Sequence, residues 1–439
     1  MTEAQPFPDR PRTGAATGRI AQLLAIALLG AVSWSAAGCR PEPVKAPVVA
    51  NPPPPGTPPV AAPASGPTVR GVTDLEIRLG MVAAFSGSNK ERGRAMRLGW
   101  EAALATLNEA GGVHGRKVRL ITLDDGYDPA RTGPAMKQLV EGEGVFAVVG
   151  NVGTATAAVA VPYCLEQRVP FFGPLSGADF LRKTPPERWV FNVRASLAQE
   201  ASASVRWLTE VKRIAPERIA VVAQEDDFGE SGWRGAAREL ERLGVPSAKI
   251  VKSGYRRNTA DVRAALEVIR DRAARLDAVL LVATYKPAAT FIRKAHGAGL
   301  KQQFVVVSAD SGGLAQELLE SGARYTERVT VTQVVPVPTS KATAVIRYRD
   351  DLARQAPGEP PGSTTLEAWL GAQVFIGALQ RAGRDLDGDR LVRALEATTN
   401  LDLGIGAILG FSPDDHQASK KVWGWQLQPD GTYTQIDLE

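Results

Sequence analysis

The stretch with the clearest chemistry is Gly150-Asn151-Val152-Gly153-Thr154-Ala155-Thr156, which follows the apolar run Val145-Phe146-Ala147-Val148-Val149. A short, uninterrupted, β-rich run suits a strand buried on both faces of a parallel sheet. Residues 155–167 then carry small and apolar side chains at helical spacing, so residues 150–156 are expected to turn from a strand into a helix. The first amides of a helix lack intrahelical partners and carry partial positive charge, so they receive an anion or a carbonyl oxygen. Gly153 allows close approach of the backbone, and Thr154 adds a hydroxyl that can donate to the same oxygen. The other reading of Thr154 is that it caps its own helix.

Other residue groups point away from catalysis. Asp124-Asp125 follows a predicted strand and has the composition of a metal or acid–base pair, but no third ligand stands at suitable spacing. Asp128-Pro129 reads as a helix start, which makes turn and cap roles the expectation for this acidic cluster. His114, His296 and His416 are far apart, and His114 sits in a glycine turn, so neither a metal site nor a nucleophile triad is indicated. Gly404-Ile405-Gly406 lacks the third glycine and the strand–helix context of a dinucleotide loop. No enzyme activity, cofactor or metal is expected.

The elements that must position these groups alternate regularly. Strands are expected at 77–82, 118–123, 145–149, 169–172 and 190–193, with helices at 93–110 and 129–141. A second series follows Arg194-Ala195-Ser196: strands at 219–223, 250–255, 278–283, 304–307 and 329–332, with helices at 232–243 and 259–274 and one more between the last two strands. Helices at 339–355, 363–382 and 390–398 precede a terminal two-stranded piece, 422–427 and 432–436. Regular βα alternation with short loops implies an α/β protein whose parallel sheets are covered by helices on both faces. In such sheets a ligand sits beyond the carboxyl ends of the strands.

Size and composition agree with this. A chain of 439 residues is too long for one ordinary domain, and 44% hydrophobic with 23% charged residues describes a globular protein. A net charge of +5 without basic runs and interleaved aromatics argues against a nucleic-acid partner. Of the two cysteines, Cys164 reads as a small core residue, and no disulfide framework exists.

The first seventy residues are different in kind. Arg10, Arg12 and Arg19 precede the apolar run 20–32, which leads into Ser35-Ala36-Ala37-Gly38-Cys39. This order reads as a secretory signal, and small residues directly before a cysteine resemble a bacterial lipobox, with Ala36 where leucine is usual. Cleavage before Cys39 and lipidation of that residue are expected; an uncleaved membrane anchor is the alternative, at the lower limit of bilayer-spanning length. Residues 40–73 are proline-rich and read as an extended tether holding a folded module off a membrane, inner or outer.

Taken together, Ser86-Gly87, Asn108-Glu109-Ala110-Gly111-Gly112-Val113-His114-Gly115-Arg116-Lys117, Asp124-Asp125-Gly126-Tyr127-Asp128-Pro129, Val148-Val149-Gly150, Asp226-Asp227-Phe228-Gly229 and Tyr285-Lys286-Pro287 resemble the type 1 periplasmic binding proteins of the leucine/isoleucine/valine-binding branch. The resemblance spans roughly 74–438. It implies two Rossmann-like lobes, 74–196 with 333–420 and 197–332 with 421–439, joined by three hinge crossovers near Ser196, Gln333 and Lys421. The serine that holds an amino acid's α-carboxylate in the family corresponds to Thr154, between Gly153 and Ala155. A family threonine for the same carboxylate falls on Gly177, beside Leu175 and Ser176. Family aromatics from the second lobe match Phe228 and Tyr285, and the acid that pairs with an α-ammonium is expected at Asp310. Arg92 replaces an aromatic before Gly93. Tyr127 and Gly153 occupy the positions of a disulfide that some members carry.

Plain structural roles remain open for several of these: interface packing for Phe228 and Tyr285, a helix cap for Asp310, and a solvated helix start for Arg92. The expectation is an extracytoplasmic lipoprotein that captures a small polar ligand, an amino acid or a related carboxylate or amide, and delivers it to an ABC permease. A sensor that reports the same ligand to a membrane or regulatory partner fits the same residues.

Overall fold

The computed structural model describes residues 69–307 and 311–438, so the signal sequence with Cys39, almost all of the tether and Asp310 lie outside the described residues. The first sheet contains β1 (Glu76–Ala83), β2 (Lys117–Asp124), β3 (Ala147–Val149), β4 (Phe171–Phe172) and β5 (Val190–Phe191). Its order is β2-β1-β3-β4-β5, with every pairing parallel. The register of β1 on β2 runs unbroken from Glu76↔Lys117 to Ala83↔Asp124. Helices α1 (Lys90–Glu109), α2 (Pro129–Lys137) and α3 (Thr154–Gln167) alternate with these strands, and α4 (Leu197–Arg206) follows the fifth.

The second sheet repeats the pattern with β6 (Ile219–Gln224), α5 (Asp227–Arg242), β7 (Val251–Tyr255), α6 (Arg263–Arg270), β8 (Ala278–Val282), α7 (Tyr285–Gly297), β9 (Gln303–Val306), α8 (Ser311–Leu319) and β10 (Val329–Gln333). The chain then adds α9 (Thr343–Gln355), α10 (Ser363–Ala382), α11 (Gly388–Glu396), a small hairpin of β11 (Leu401–Asp402) and β12 (Ile408–Leu409), and finally β13 (Trp423–Leu427) and β14 (Tyr433–Ile436). The last two join the second sheet, giving the order β14-β13-β10-β9-β8-β6-β7. Both pair antiparallel, so this sheet is mixed where an all-parallel one was expected.

Each sheet is covered on both faces, and the alternation of strand side chains shows why. In β8, Val279 and Leu281 enter one apolar cluster while Ala278, Leu280 and Val282 enter another. In the first lobe, Ile77, Leu79 and Met81 pack with residues of α1, α9, α10 and α11, while Val82 and Val148 pack with α2 and α3. Cys164 is fully buried there. No helix among the described residues is long and apolar enough to cross a membrane.

Several helices differ from the sequence expectation. Helix α4 was not anticipated: between Leu197 and Val205 its buried face holds only small or polar residues, Glu200, Ala201, Ala203 and Ser204. A side chain on Gly235 of α5 would place Cβ 2.3 Å from the Ala198 carbonyl oxygen, so the two helices meet backbone to backbone. Helix α5 starts at Asp227 rather than 232, since the Asp226 side chain accepts from the amides of Phe228 and Gly229 at 3.1 and 3.3 Å. Helix α6 is shorter than expected: Asn258 takes a left-handed conformation (φ 60) and the helix begins only at Arg263.

Candidate functional site

The turn after β2 is held by its two acids. The Asp124 carboxylate accepts from the amides of Phe85 (2.7 Å), Ser86 (3.0 Å) and Gly126 (2.9 Å) and from the Ser86 hydroxyl (2.6 Å), and it pairs with Arg131 at 2.7 Å. Burial alone would raise this group, but the Ser86 hydroxyl, the Phe85 amide, Arg131 and the Gly126 amide outweigh it and hold the carboxyl well below the usual range. Asp125 is wholly buried and accepts from the Tyr127 amide at 2.9 Å and the Thr132 hydroxyl at 3.0 Å; burial pushes its carboxyl up. Asp128 accepts from the Ala130 amide at 3.0 Å and starts α2. The acids serve turn and cap geometry. Among the described residues no group of three or more His, Cys, Asp or Glu side chains is placed to hold a metal.

The turn after β3 follows the expected strand-to-helix path. Gly153 has φ 106, a conformation that L side chains rarely adopt, and α3 begins at Thr154 with no side-chain cap. The Thr154 hydroxyl lies 2.7 Å from the Ser176 hydroxyl, so it joins two loops instead of capping its helix. Both residues are buried, 2% and 3% exposed, while Ala155 is half-buried. Leu175 ties the same loops together, donating to the Asn151 carbonyl at 2.7 Å and accepting from the Gly153 amide at 3.3 Å. A Cβ on Gly177 would fall 2.6 Å from the Leu197 nitrogen, so a threonine does not fit there without a shift.

Facing these turns, the second lobe presents a chain of hydrogen bonds. The Thr284 amide donates to the Tyr255 hydroxyl at 3.1 Å, and that hydroxyl donates to Gln224 Oε1 at 3.0 Å. Gln224 Nε2 then donates to Asp226 Oδ2 at 2.7 Å. Burial pushes the Tyr255 hydroxyl far up, so it stays protonated as a donor. Between the lobes lies a cavity of about 120 Å³, walled by Asn89 and Tyr127 on one side and by Gln224, Asn258, Thr284 and Tyr285 on the other.

The sequence-derived residues divide in this geometry. Tyr285 opens α7 and lines the cavity. Phe228, at the start of α5, is buried in an apolar cluster of the second lobe's interior. Gly153 lies under the Tyr127 ring, whose Cε2 stands 2.1 Å from where a Gly153 Cβ would be. Arg92 is half-buried, its Nε is buried with no hydrogen-bond partner, and it lies in electrostatic reach of Tyr127 and Glu367. Tyr127, Asn89, Gln224, Asn258 and Thr284 were not singled out as ligand contacts. Each stands within a few residues of the carboxyl end of a strand, apart from Asn89, which precedes α1. That placement is the signal by which most of them could have been found.

Where the lobes join, the buried groups are charged. Arg194, 4% exposed, pairs with Glu200 of α4 at 3.1 Å and with Glu367 of α10 at 3.3 Å, and Thr332 at the end of β10 donates to Glu200 at 2.9 Å. Burial pushes the Glu367 carboxyl up despite Arg194. Further contacts also span the lobes: Arg234 of α5 pairs with Asp179 at 2.9 Å, the Asp179 amide donates to the Ser231 hydroxyl at 3.2 Å, and the hydroxyls of Ser311 and Ser363 lie 3.1 Å apart.

Comparison with known proteins gives consistent relatives. A family described as periplasmic binding protein matches residues 76–432. The "Leu/Ile/Val-binding protein homolog 8" of Brucella abortus is 24% identical over 372 residues, covering 80% of this chain and 88% of that relative. The crystal structure of a possible leucine/isoleucine/valine-binding protein from Rhodopirellula baltica superimposes with a TM-score of 0.78 at 34% identity, covering 85% of this chain and 98% of that one. A fatty acid ABC transporter substrate-binding protein from Thermomonospora curvata shares the fold with a TM-score of 0.76 at 20% identity, over 86% of this chain and 95% of its own.

Proposed function

Because the chain belongs to the periplasmic binding protein family, we propose that it captures a small polar solute between its lobes outside the cytoplasm and hands it to an ABC permease. The observation that carries this reading is the cavity of about 120 Å³ whose walls come from strand ends of both sheets, so that a solute seated there ties the lobes together. The solute class we infer is an amino acid or a related carboxylate or amide.

In this reading Tyr285 and the relay through Thr284, Tyr255 and Gln224 hold the solute from the second lobe. The Thr154–Ser176 hydroxyl pair and the start of α3, with Gly153, Ala155, Leu175 and Gly177 shaping the turn, hold an oxygen from the first. Arg92 supplies positive charge on that side, and Asp310 serves an ammonium group if the solute has one. Phe228 supports the second wall from behind. Selectivity follows because a wrong solute leaves buried polar groups unpaired. The protein performs no bond-making step, and lipidated Cys39 with its tether keeps it at a membrane.

A thermal-shift screen of amino acids, aromatic acids, short amides and dicarboxylates against the full chain tests the reading. A true solute at a hundred times its Kd stabilises by about 2.7 kcal/mol. A flat response to all four classes discards the proposed solute class. Separately, globomycin treatment or Cys39→Ser is expected to leave an unprocessed or unlipidated precursor; normal maturation rejects the anchor.

A further inference from the structure

We propose that Tyr127 is a specificity-determining residue of the cleft: its ring fixes how much of the crevice a solute occupies. The inference rests on the solute-binding reading and adds a residue that reading did not use.

Four observations converge on this side chain. Tyr127 is a bulky residue with φ 62, a left-handed conformation that costs a tyrosine free energy. The matching turn of the second lobe, after β7, also has a left-handed residue facing the cavity, Asn258 with φ 60. Asparagine takes that conformation readily. The fold therefore needs a left-handed residue in this turn but does not need a tyrosine, and the aromatic side chain calls for a separate reason. Its aim is fixed by the wholly buried Asp125, which accepts its amide and is itself held by Thr132.

The ring supplies the reason. It lies over Gly153, occupying the space a Cβ would need, and so roofs the turn that leads to Thr154. Its other side is the first-lobe wall of the cavity. The Gln224 side chain of the second lobe, part of the relay from Thr284 to Asp226, stands on the opposite wall of the same cavity. One side chain thus covers the Gly153 turn and limits the cavity. Removing the hydroxyl alone should keep the wall. Removing the ring should open the cavity towards the Gly153 turn.

The test uses full-length Tyr127→Phe and Tyr127→Ala, with circular dichroism to confirm folding. Tyr127→Phe keeps the ring and should bind each probe named below with the order and ratio of affinities of wild type. Titration calorimetry with L-alanine, L-leucine, L-phenylalanine and benzoate should show Tyr127→Ala gaining at least tenfold for the bulkier over the smaller probes relative to wild type. An unchanged order and ratio of affinities in a folded Tyr127→Ala, or the same change in Tyr127→Phe, overturns the proposal. If none of the four probes binds any form, the choice of solute class fails, and hydrogen exchange of the 153–156 amides decides the role of the ring: faster exchange in Tyr127→Ala alone supports it, and wild-type exchange in Tyr127→Ala overturns it.

Discussion

The two lobes repeat one strand order, β2-β1-β3-β4-β5 and β7-β6-β8-β9-β10, yet their matching turns finish in opposite ways. In the first lobe the polar groups are spent on the lobe itself: Asp124 and Asp125 hold their own turn, and Thr154 holds Ser176. In the second, the polar chain from Thr284 through Tyr255 and Gln224 ends beside the cavity. Buried polar groups already satisfied keep a surface fixed, whereas groups at the edge of a cavity can exchange partners. The difference teaches that the first lobe serves as a preset wall and the second as the adaptable one. The buried ion-pair network lies elsewhere, where the chain crosses between lobes, around Arg194.

The largest expected effect tests whether those crossover charges belong to both lobes. Glu200→Ala removes the buried carboxylate that Arg194 and Thr332 share, so about 3–5 kcal/mol of stability should be lost in urea unfolding. A loss confined to one of two separate transitions would show that the network serves a single lobe.

Next is Gly153→Ala, which sets a Cβ against both φ 106 and the Tyr127 ring. About 1–3 kcal/mol should be lost, with weaker solute binding as the turn shifts. A neutral result would mean that the first wall is not preset. Gln224→Ala and Thr154→Ala then separate the two walls directly. Each should cost about 1–2 kcal/mol of stability from groups left unpaired, but Gln224→Ala should weaken solute binding more, by roughly tenfold to a hundredfold. Equal losses of affinity in calorimetry would erase the distinction.

The smallest effect is acidic. Because folding depresses the Asp124 carboxyl, it contributes stability that is present above the ordinary carboxylate value near 4 and is lost as pH falls below it. The side chain is 30% exposed, and solvent screening leaves less than about 1 kcal/mol at stake. Asp124→Asn should flatten the acid limb of a pH–stability curve, and an unchanged limb would show that the Ser86 loop holds without that charge.

The fold was legible wherever large apolar residues mark an element. The run 145–149 and the stripe of Met96, Trp100, Leu104 and Leu107 located β3 and α1 within a few residues. Helix α4 was not, because the close crossing with α5 keeps the buried residues between Leu197 and Val205 small or polar, which leaves a weak apolar signal. In the candidate site, Tyr285 was legible from its motif at a strand end. The Thr154 hydroxyl was located in the right turn, but its pairing with Ser176 depends on a loop more than twenty residues away. Tyr127 was passed over because its place depends on a backbone angle and on a cavity shared with the other lobe, neither of which is written locally.

The return of β13 to the edge of β10 has a consequence for how the chain matures. Residues 423–436 finish the second sheet, and α9, α10 and α11, made after that sheet's parallel strands, finish the packing of the first. Neither half can therefore lock while the ribosome is still making the last fifth of the polypeptide, because contacts so distant in sequence form late. A chain with this wiring sets firmly only once its last strands and helices are in place.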